Sequence, residues 1–186
     1  EVSPNKFEET EYVYNEGILD YVKEKASDNS LTLPVYFECE RKGRDREDKP
    51  DYKVRLSVAF TFSNKVKKIE YYHNSSFLEH GGSPEKALKQ AFVSQIDTYL
   101  KQNSKYLKNE GKITFVDIEE CLVFVSSSFS TQTSYENQTK KAINNKFIYE
   151  AMTEFLKHQL EVYFMENPDE AVKIAEQVMI NKRSRE

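Results

Sequence analysis

The sequence predicts an α+β fold, read as one domain over residues 1–186. Two observations carry that prediction. Val54, Leu56, Val58, Phe60 and Phe62 alternate with Lys53, Arg55, Ser57, Ala59 and Thr61, a period-two pattern with one face of a sheet buried. Three later stretches instead space their apolar residues as helices do, so strands gather early in the chain and long helices late. The order reads strand, helix, three strands, helix, short helix, strand, helices.

Residues 7–14 read as an edge strand or extended arm. Ile18, Leu19 and Val22 share one side of a short helix that ends at the turn formers Ser27-Asp28-Asn29-Ser30. Val35, Phe37 and Cys39 alternate with Tyr36, Glu38 and Glu40 to make a strand. The mixed-charge stretch from Arg41 to Pro50 is a solvated hairpin loop that leads into the alternating run just described. A polar turn, Ser63-Asn64-Lys65, then gives a third strand near residues 66–72, and the three together predict an antiparallel meander.

Ser83 is the expected N-cap of the next helix, with Pro84 at its first position; Ala87, Leu88, Ala91, Phe92, Ile96, Tyr99 and Leu100 form its buried stripe. Residues 115–120 predict a short helix feeding a strand at residues 122–125. Phe147, Ile148, Ala151, Met152, Phe155, Leu156 and Leu160 form a second stripe. Asn167-Pro168-Asp169-Glu170 opens a last helix with Ala171, Ile174, Ala175, Val178 and Met179 on one face, after which Asn181 to Glu186 simply runs out.

Composition narrows the function. Hydrophobic residues at 38% and charged residues at 31% describe an ordered, water-soluble chain, and 12 Tyr with 12 Phe supply a sizeable core without Trp. A net charge of −4 argues against a free-standing nucleic-acid module, whose affinity comes largely from neutralising phosphates. Cys39 and Cys121 lack metal-ligand or disulfide spacing and read as reduced residues of a cytoplasmic protein. No long apolar segment predicts a membrane span or signal peptide, and the start at Glu1 rather than Met reads as an excised fragment.

Enzyme motifs are missing. His73, His80 and His158 are scattered without ligand spacing, and the sequence holds no phosphate-cradling glycine loop, nucleophile elbow or zinc motif. One polar stretch stands out, from Tyr135 to Lys140 ahead of the Phe147 stripe. There the Lys140 ammonium can reach a phosphate while Gln138 offers a neutral donor beside it; the competing reading is two solvated lysines, Lys140 and Lys141.

Several stretches recur in a familiar order: Tyr14-Asn15-Glu16-Gly17-Ile18, Pro34-Val35-Tyr36-Phe37-Glu38, Gly81-Gly82 opening a helix, Gln138-Thr139-Lys140, and Glu166-Asn167-Pro168-Asp169-Glu170-Ala171. Together, from about Tyr12 to Lys182, the chain resembles the second or transducer domain of the B subunit of bacterial DNA gyrase or topoisomerase IV, in the type IIA topoisomerase family. The resemblance implies a ribosomal-protein-like fold, with helices packed on one face of a four-stranded, mostly antiparallel sheet and a left-handed crossover. It implies a place between an ATP-binding domain and a TOPRIM domain of the same chain. It further implies that Gln138 and Lys140 touch the ATP γ-phosphate, Lys140 as the catalytic cation, so that ATP binding and hydrolysis are coupled to DNA strand passage. ATP with Mg²⁺ is implied for the full-length enzyme and no cofactor or metal for this fragment, which alone should be inactive. The implied partners are DNA, an A-type subunit and a second B-type subunit, with no membrane. The alternative is a non-catalytic interaction or clamp module of the same fold, docking through helices 146–182. Two stretches depart from the family: Glu79-His80-Gly81-Gly82-Ser83-Pro84 replaces His-Glu-Gly-Gly-Thr-His, and Lys141-Ala142-Ile143-Asn144-Asn145 replaces Thr-Lys-Leu-Gly-Asn.

Overall fold

A computed structural model of the chain describes residues 17–74, 76–79, 81–130 and 142–185. The expected arm at 7–14 lies outside them. Residues 17–26 form helix α1, followed by a 3-10 turn at Ser27–Asn29. The strands are β1 (Val35–Gly43), β2 (Tyr52–Phe62), β3 (Lys68–His73), β4 (Ser76–Phe77), β5 (Gly81–Gly82), β6 (Leu122–Ser130) and β7 (Ala142–Ile143). The remaining helices are α2 (Ser83–Gln102), α3 (Phe115–Glu119), α4 (Lys146–Glu166) and α5 (Pro168–Arg185).

The main sheet runs β1-β2-β6-β3-β4, four long strands and a two-residue edge. The expected meander is wrong in one respect: β2 and β3 are not neighbours. Strand β6 lies between them, antiparallel to β2 and parallel to β3. The cause is legible in Leu122-Val123-Phe124-Val125, apolar on both faces and buried on both, which suits a central strand and not an edge. The path from β3 to β6 runs through α2 and α3, the crossover a parallel pair needs. Strand β6 also continues five residues past Val125, because Ser126, Ser127 and Ser128 are buried in its ladder despite their low strand preference.

Packing covers both sheet faces, not one. The even-numbered residues of β2, with Leu122, Phe124 and Tyr71, meet α2, α4 and α5. Phe60 is the hub of that side, its ring 5.4 Å from Phe92, 6.0 Å from Phe37 and Tyr163 and 6.5 Å from Phe124. On the opposite face, Ile18, Val22 and Ala26 of α1 pack on Ala59, Val123 and Val125. A hydrogen bond from the Tyr21 hydroxyl to Glu70 ties α1 to β3. Single-face packing failed as an expectation because Ala59, Val123 and Val125 are apolar on the side assigned to solvent.

Two helix ends also differ from expectation. The N-cap of α2 is Gly82; the Ser83 hydroxyl caps nothing and donates to the Asn145 carbonyl at 2.9 Å. Helix α5 does not run out at Asn181 but continues to Arg185. Its last turns carry Lys182 and Arg183 onto Glu110 of the segment between α2 and α3, and Arg185 onto Asp117 of α3. Cys121 is buried and Cys39 half-buried, both free, and burial pushes the Cys121 thiol up to about 12.

Candidate functional site

Strand β6 ends at Ser130 and β7 begins at Ala142, so the two describe the rims of the segment that holds Gln138 and Lys140. Both of those residues lie outside the described residues, as does His80.

The entry rim is tied by Asn74. Its side-chain oxygen accepts from the Ser130 N–H at 2.9 Å, and its amide donates back to the Ser130 carbonyl at 3.1 Å. Asn74 sits at φ 49°, a left-handed conformation that Asn tolerates better than most residues. Its own N–H donates to the Ser128 carbonyl at 2.7 Å. Beside it, His73 is fully buried, with Nδ1 2.7 Å from the Ser128 hydroxyl oxygen. Burial drives its imidazole down to about 4, so it is neutral at ordinary pH and joins the frame as an uncharged partner of Ser128.

The exit rim is tied by the glycine pair. Gly81 and Gly82 pair in parallel with Ala142 and Ile143. Gly82 is at φ +77°, and a Cβ there would lie 1.9 Å from the Ile143 carbonyl oxygen, so only glycine permits this approach. The sequence singled out both the Gly81-Gly82 loop and the stretch before α4. The structure brings them into one two-stranded sheet.

Asn145 then anchors the start of α4. Its Nδ2 donates to Asp45 Oδ2 at 3.1 Å and to the Tyr52 hydroxyl oxygen at 3.0 Å. Asp45 Oδ1 accepts from the Tyr52 hydroxyl at 2.6 Å and from the Phe147 N–H at 3.0 Å. That carboxylate satisfies one of the orphan donors at the positive end of α4. Burial, then the bond to Asp45, raises the Tyr52 phenol well above its ordinary value, so it stays a donor. Gly43 keeps the space in which Phe147 packs edge-on to Tyr52, since a Cβ there would meet the Phe147 ring at 2.4 Å.

Sequence reasoning missed Asp45, Tyr52, Asn74 and Asn145. The sequence places Asp45 in a solvated loop, and no local signal contradicts that, because Asn145 and Phe147 reach it from about a hundred positions away. Asn145 did carry a signal: an Asn just ahead of an apolar helical stripe is a capping pattern. The arrangement is a frame. It ties the described residues on both sides of 131–141 with backbone and amide bonds.

Comparison with solved structures supports the architecture. A crystal structure of the 43K ATPase domain of Thermus thermophilus gyrase B, in complex with an aminocoumarin, superposes with a TM-score of 0.73 at 21% identity, over 91% of this chain and 43% of that one. The topoisomerase IV ATP binding domain of Francisella tularensis gives 0.70 at 24% identity, with the same coverage of 91% and 43%. At those identities the likeness is one of fold. In sequence, the DNA gyrase B protein of Mycoplasmoides gallisepticum is 29% identical over 88% of this chain and 26% of its own length. The DNA gyrase B protein of Metamycoplasma hominis is 29% identical over 94% of this chain and 27% of its own length. The chain therefore spans about a quarter of the gyrase B proteins it matches. Residues 17–186 match the DNA gyrase B family, and the chain belongs to that family.

Proposed function

We propose that this chain is the transducer domain of a gyrase-B-like subunit in an ATP-dependent type IIA DNA topoisomerase, and that it couples ATP binding and hydrolysis to DNA strand passage. Family membership supports the general assignment. The finer one draws on coverage: the two solved relatives are described as ATPase and ATP binding domains, and this chain accounts for 43% of each. Its sequence has no phosphate-cradling glycine loop, which suits the part of such a fragment that lacks the nucleotide pocket. The connection from β3 through α2 and α3 to β6 corresponds in this reading to the family's left-handed crossover.

The observation that carries the proposal is the pairing of Gly81-Gly82 with Ala142-Ile143. It ties the exit of the Gln138–Lys140 stretch to the start of α2, so a force on that stretch is delivered to a helix of the core. Lys140 supplies a cation and Gln138 a neutral amide; both are donors, which fits phosphate oxygens as acceptors. When bound, ATP with Mg²⁺ supplies the phosphoanhydride whose terminal oxygens these donors would meet. Lys140 then favours charge on those oxygens and Gln138 orients them. Release of that contact frees the loop, and the frame passes the change to α2 and α4. The partners in this proposal are an ATP-binding and a TOPRIM domain of the same chain, a second B-type subunit, an A-type subunit and DNA.

The test is Lys140→Ala in the full-length subunit, assembled with its A-type partner. It should lose most ATPase and supercoiling activity at an unchanged unfolding temperature. Near-normal turnover overturns the assignment. The 186-residue chain alone should hydrolyse no ATP.

A further inference from the structure

We infer that Asn145 is a positioning residue for the Gln138–Lys140 loop, and that the β1–β2 hairpin sets the loop's exit through the Asn145–Asp45 contact. The inference rests on the loop's proposed role and goes beyond it, because it assigns a task to a hairpin that touches neither Gln138 nor Lys140 in sequence.

Asn145 directly precedes α4, where an Asn side chain ordinarily turns back to cap its own helix. Here it makes no such bond. The amide is turned toward the hairpin instead, with Nδ2 donating to Asp45 and Tyr52, while the Phe147 N–H donates to Asp45 Oδ1. The Asn145 carbonyl meanwhile accepts from Ser83 at the start of α2 and from the Tyr149 N–H. One residue, 1% exposed, thus joins the hairpin, β2, α2 and α4, two positions after Ile143 and five after Lys140. The hairpin end is itself braced by Arg44, which donates to Asp51 at 2.6 Å and to the Glu47 carbonyl at 3.1 Å. An ordinary cap would hold α4 alone. This one exchanges self-capping for a link between separate elements, the geometry expected of a residue that fixes where the preceding loop emerges.

The experiment uses the full-length subunit with its A-type partner, and two readouts. Asn145→Asp keeps a good N-cap residue but sets a second carboxylate against Asp45. Asn145→Asp should raise amide exchange at Ile143 about tenfold in the nucleotide-free subunit and lower ATPase kcat about tenfold, and the unfolding temperature should fall with them because two carboxylates then meet in a buried site. The swap Asp45→Asn with Asn145→Asp puts the amide on the hairpin and the carboxylate on the helix, restores the bond, and should recover both readouts. Unchanged exchange in Asn145→Asp overturns the inference, and so does a loss that the swap fails to recover. Full turnover in Lys140→Ala sinks the loop's assignment instead, and the exchange readout then judges the Asn145 clamp by itself.

Discussion

Removing the charge of Glu110 should loosen the end of α5, by an amount the geometry sets. Glu110 Oε2 accepts from Lys182 Nζ at 3.1 Å and Arg183 Nε at 3.2 Å, while Oε1 accepts from Arg183 Nη2 at 3.0 Å and the Leu107 N–H at 2.8 Å. The Lys182 side chain is 1% exposed and Glu110 7%, so neutralising Glu110 breaks a buried ion pair, a change that costs about 3–5 kcal/mol in general. Glu110→Gln keeps one acceptor for Lys182, so about 2–3 kcal/mol is expected at pH 7, a fall in Tm of about 5–10 °C for a domain of this size. Acid supplies the check. The bonds from Arg183, the Leu107 N–H and Lys182 hold the carboxyl down at about 2 against an ordinary 4.5. A carboxylate with a depressed folded value contributes stability that is complete above 4.5 and is lost as pH falls toward 2. Unscreened, that difference is worth about 3 kcal/mol, and with Arg183 44% exposed about half of it should survive screening. Urea unfolding of the 186-residue chain should therefore show the gap between wild type and Glu110→Gln narrowing by about 1 kcal/mol from pH 7 to pH 3. Adding Lys182→Met removes the buried cation that Glu110 balanced and should recover part of the loss. A gap below about 0.5 kcal/mol at pH 7, or one unchanged at pH 3, would refute the buried-pair reasoning.

Two further perturbations address the other end of the domain. Gly82→Ala forces a left-handed residue and a Cβ onto the Ile143 carbonyl, so it should cost about 3 kcal/mol and raise amide exchange at Ile143; a cost under about 1 kcal/mol would mean the β5–β7 pairing is not held this closely. His73 has its imidazole depressed to about 4 by burial, so the unfolded chain takes up a proton first, and stability falls as pH drops from 6.5 toward 4. A loss of about 2–3 kcal/mol over that window should be visible in urea unfolding and absent in His73→Gln; a parallel loss in both proteins would place its origin elsewhere.

Local pattern made most elements legible. The β2 alternation, the α2 and α4 stripes and the Asn167-Pro168 junction appear where periodicity puts them, because each depends on residues close in sequence. Pairing was not so readable. Three strands in succession suggest hairpins, and only the two-sided apolar run at residues 122–125 signals that β6 takes the central place. The serines that prolong β6 look like a turn and become strand through burial against His73 and β2. Gly81-Gly82 looked like a helix-opening loop; that it pairs with Ala142-Ile143 is a contact across about sixty residues, which no local propensity encodes. Gln138 and Lys140 stood out through family likeness, since composition alone leaves them two polar residues among many.

Charge is where the sequence was least readable, and the reason is physical. Whether a carboxylate faces water or a partner depends on what the fold carries to it, so Asp45, Glu110 and Asp117 look alike in the chain and differ completely in place. The consequence is an asymmetry between the two ends of the domain. The rims of the candidate loop are held largely by neutral groups: the Asn74 amide, the glycine-strand pairing and the Asn145 amide, with Asp45 as the charged member. The end of α5 is held by ions, with Arg185 bidentate on Asp117 at 2.9 and 3.1 Å beside the Glu110 cluster. Neutral bonds are nearly indifferent to salt, whereas partly exposed ion pairs weaken with it. In the proposed role that division has a use: the end that would receive the signal keeps its geometry at any ionic strength, while the ion pairs at the end of α5 respond to competing ions without disturbing the frame.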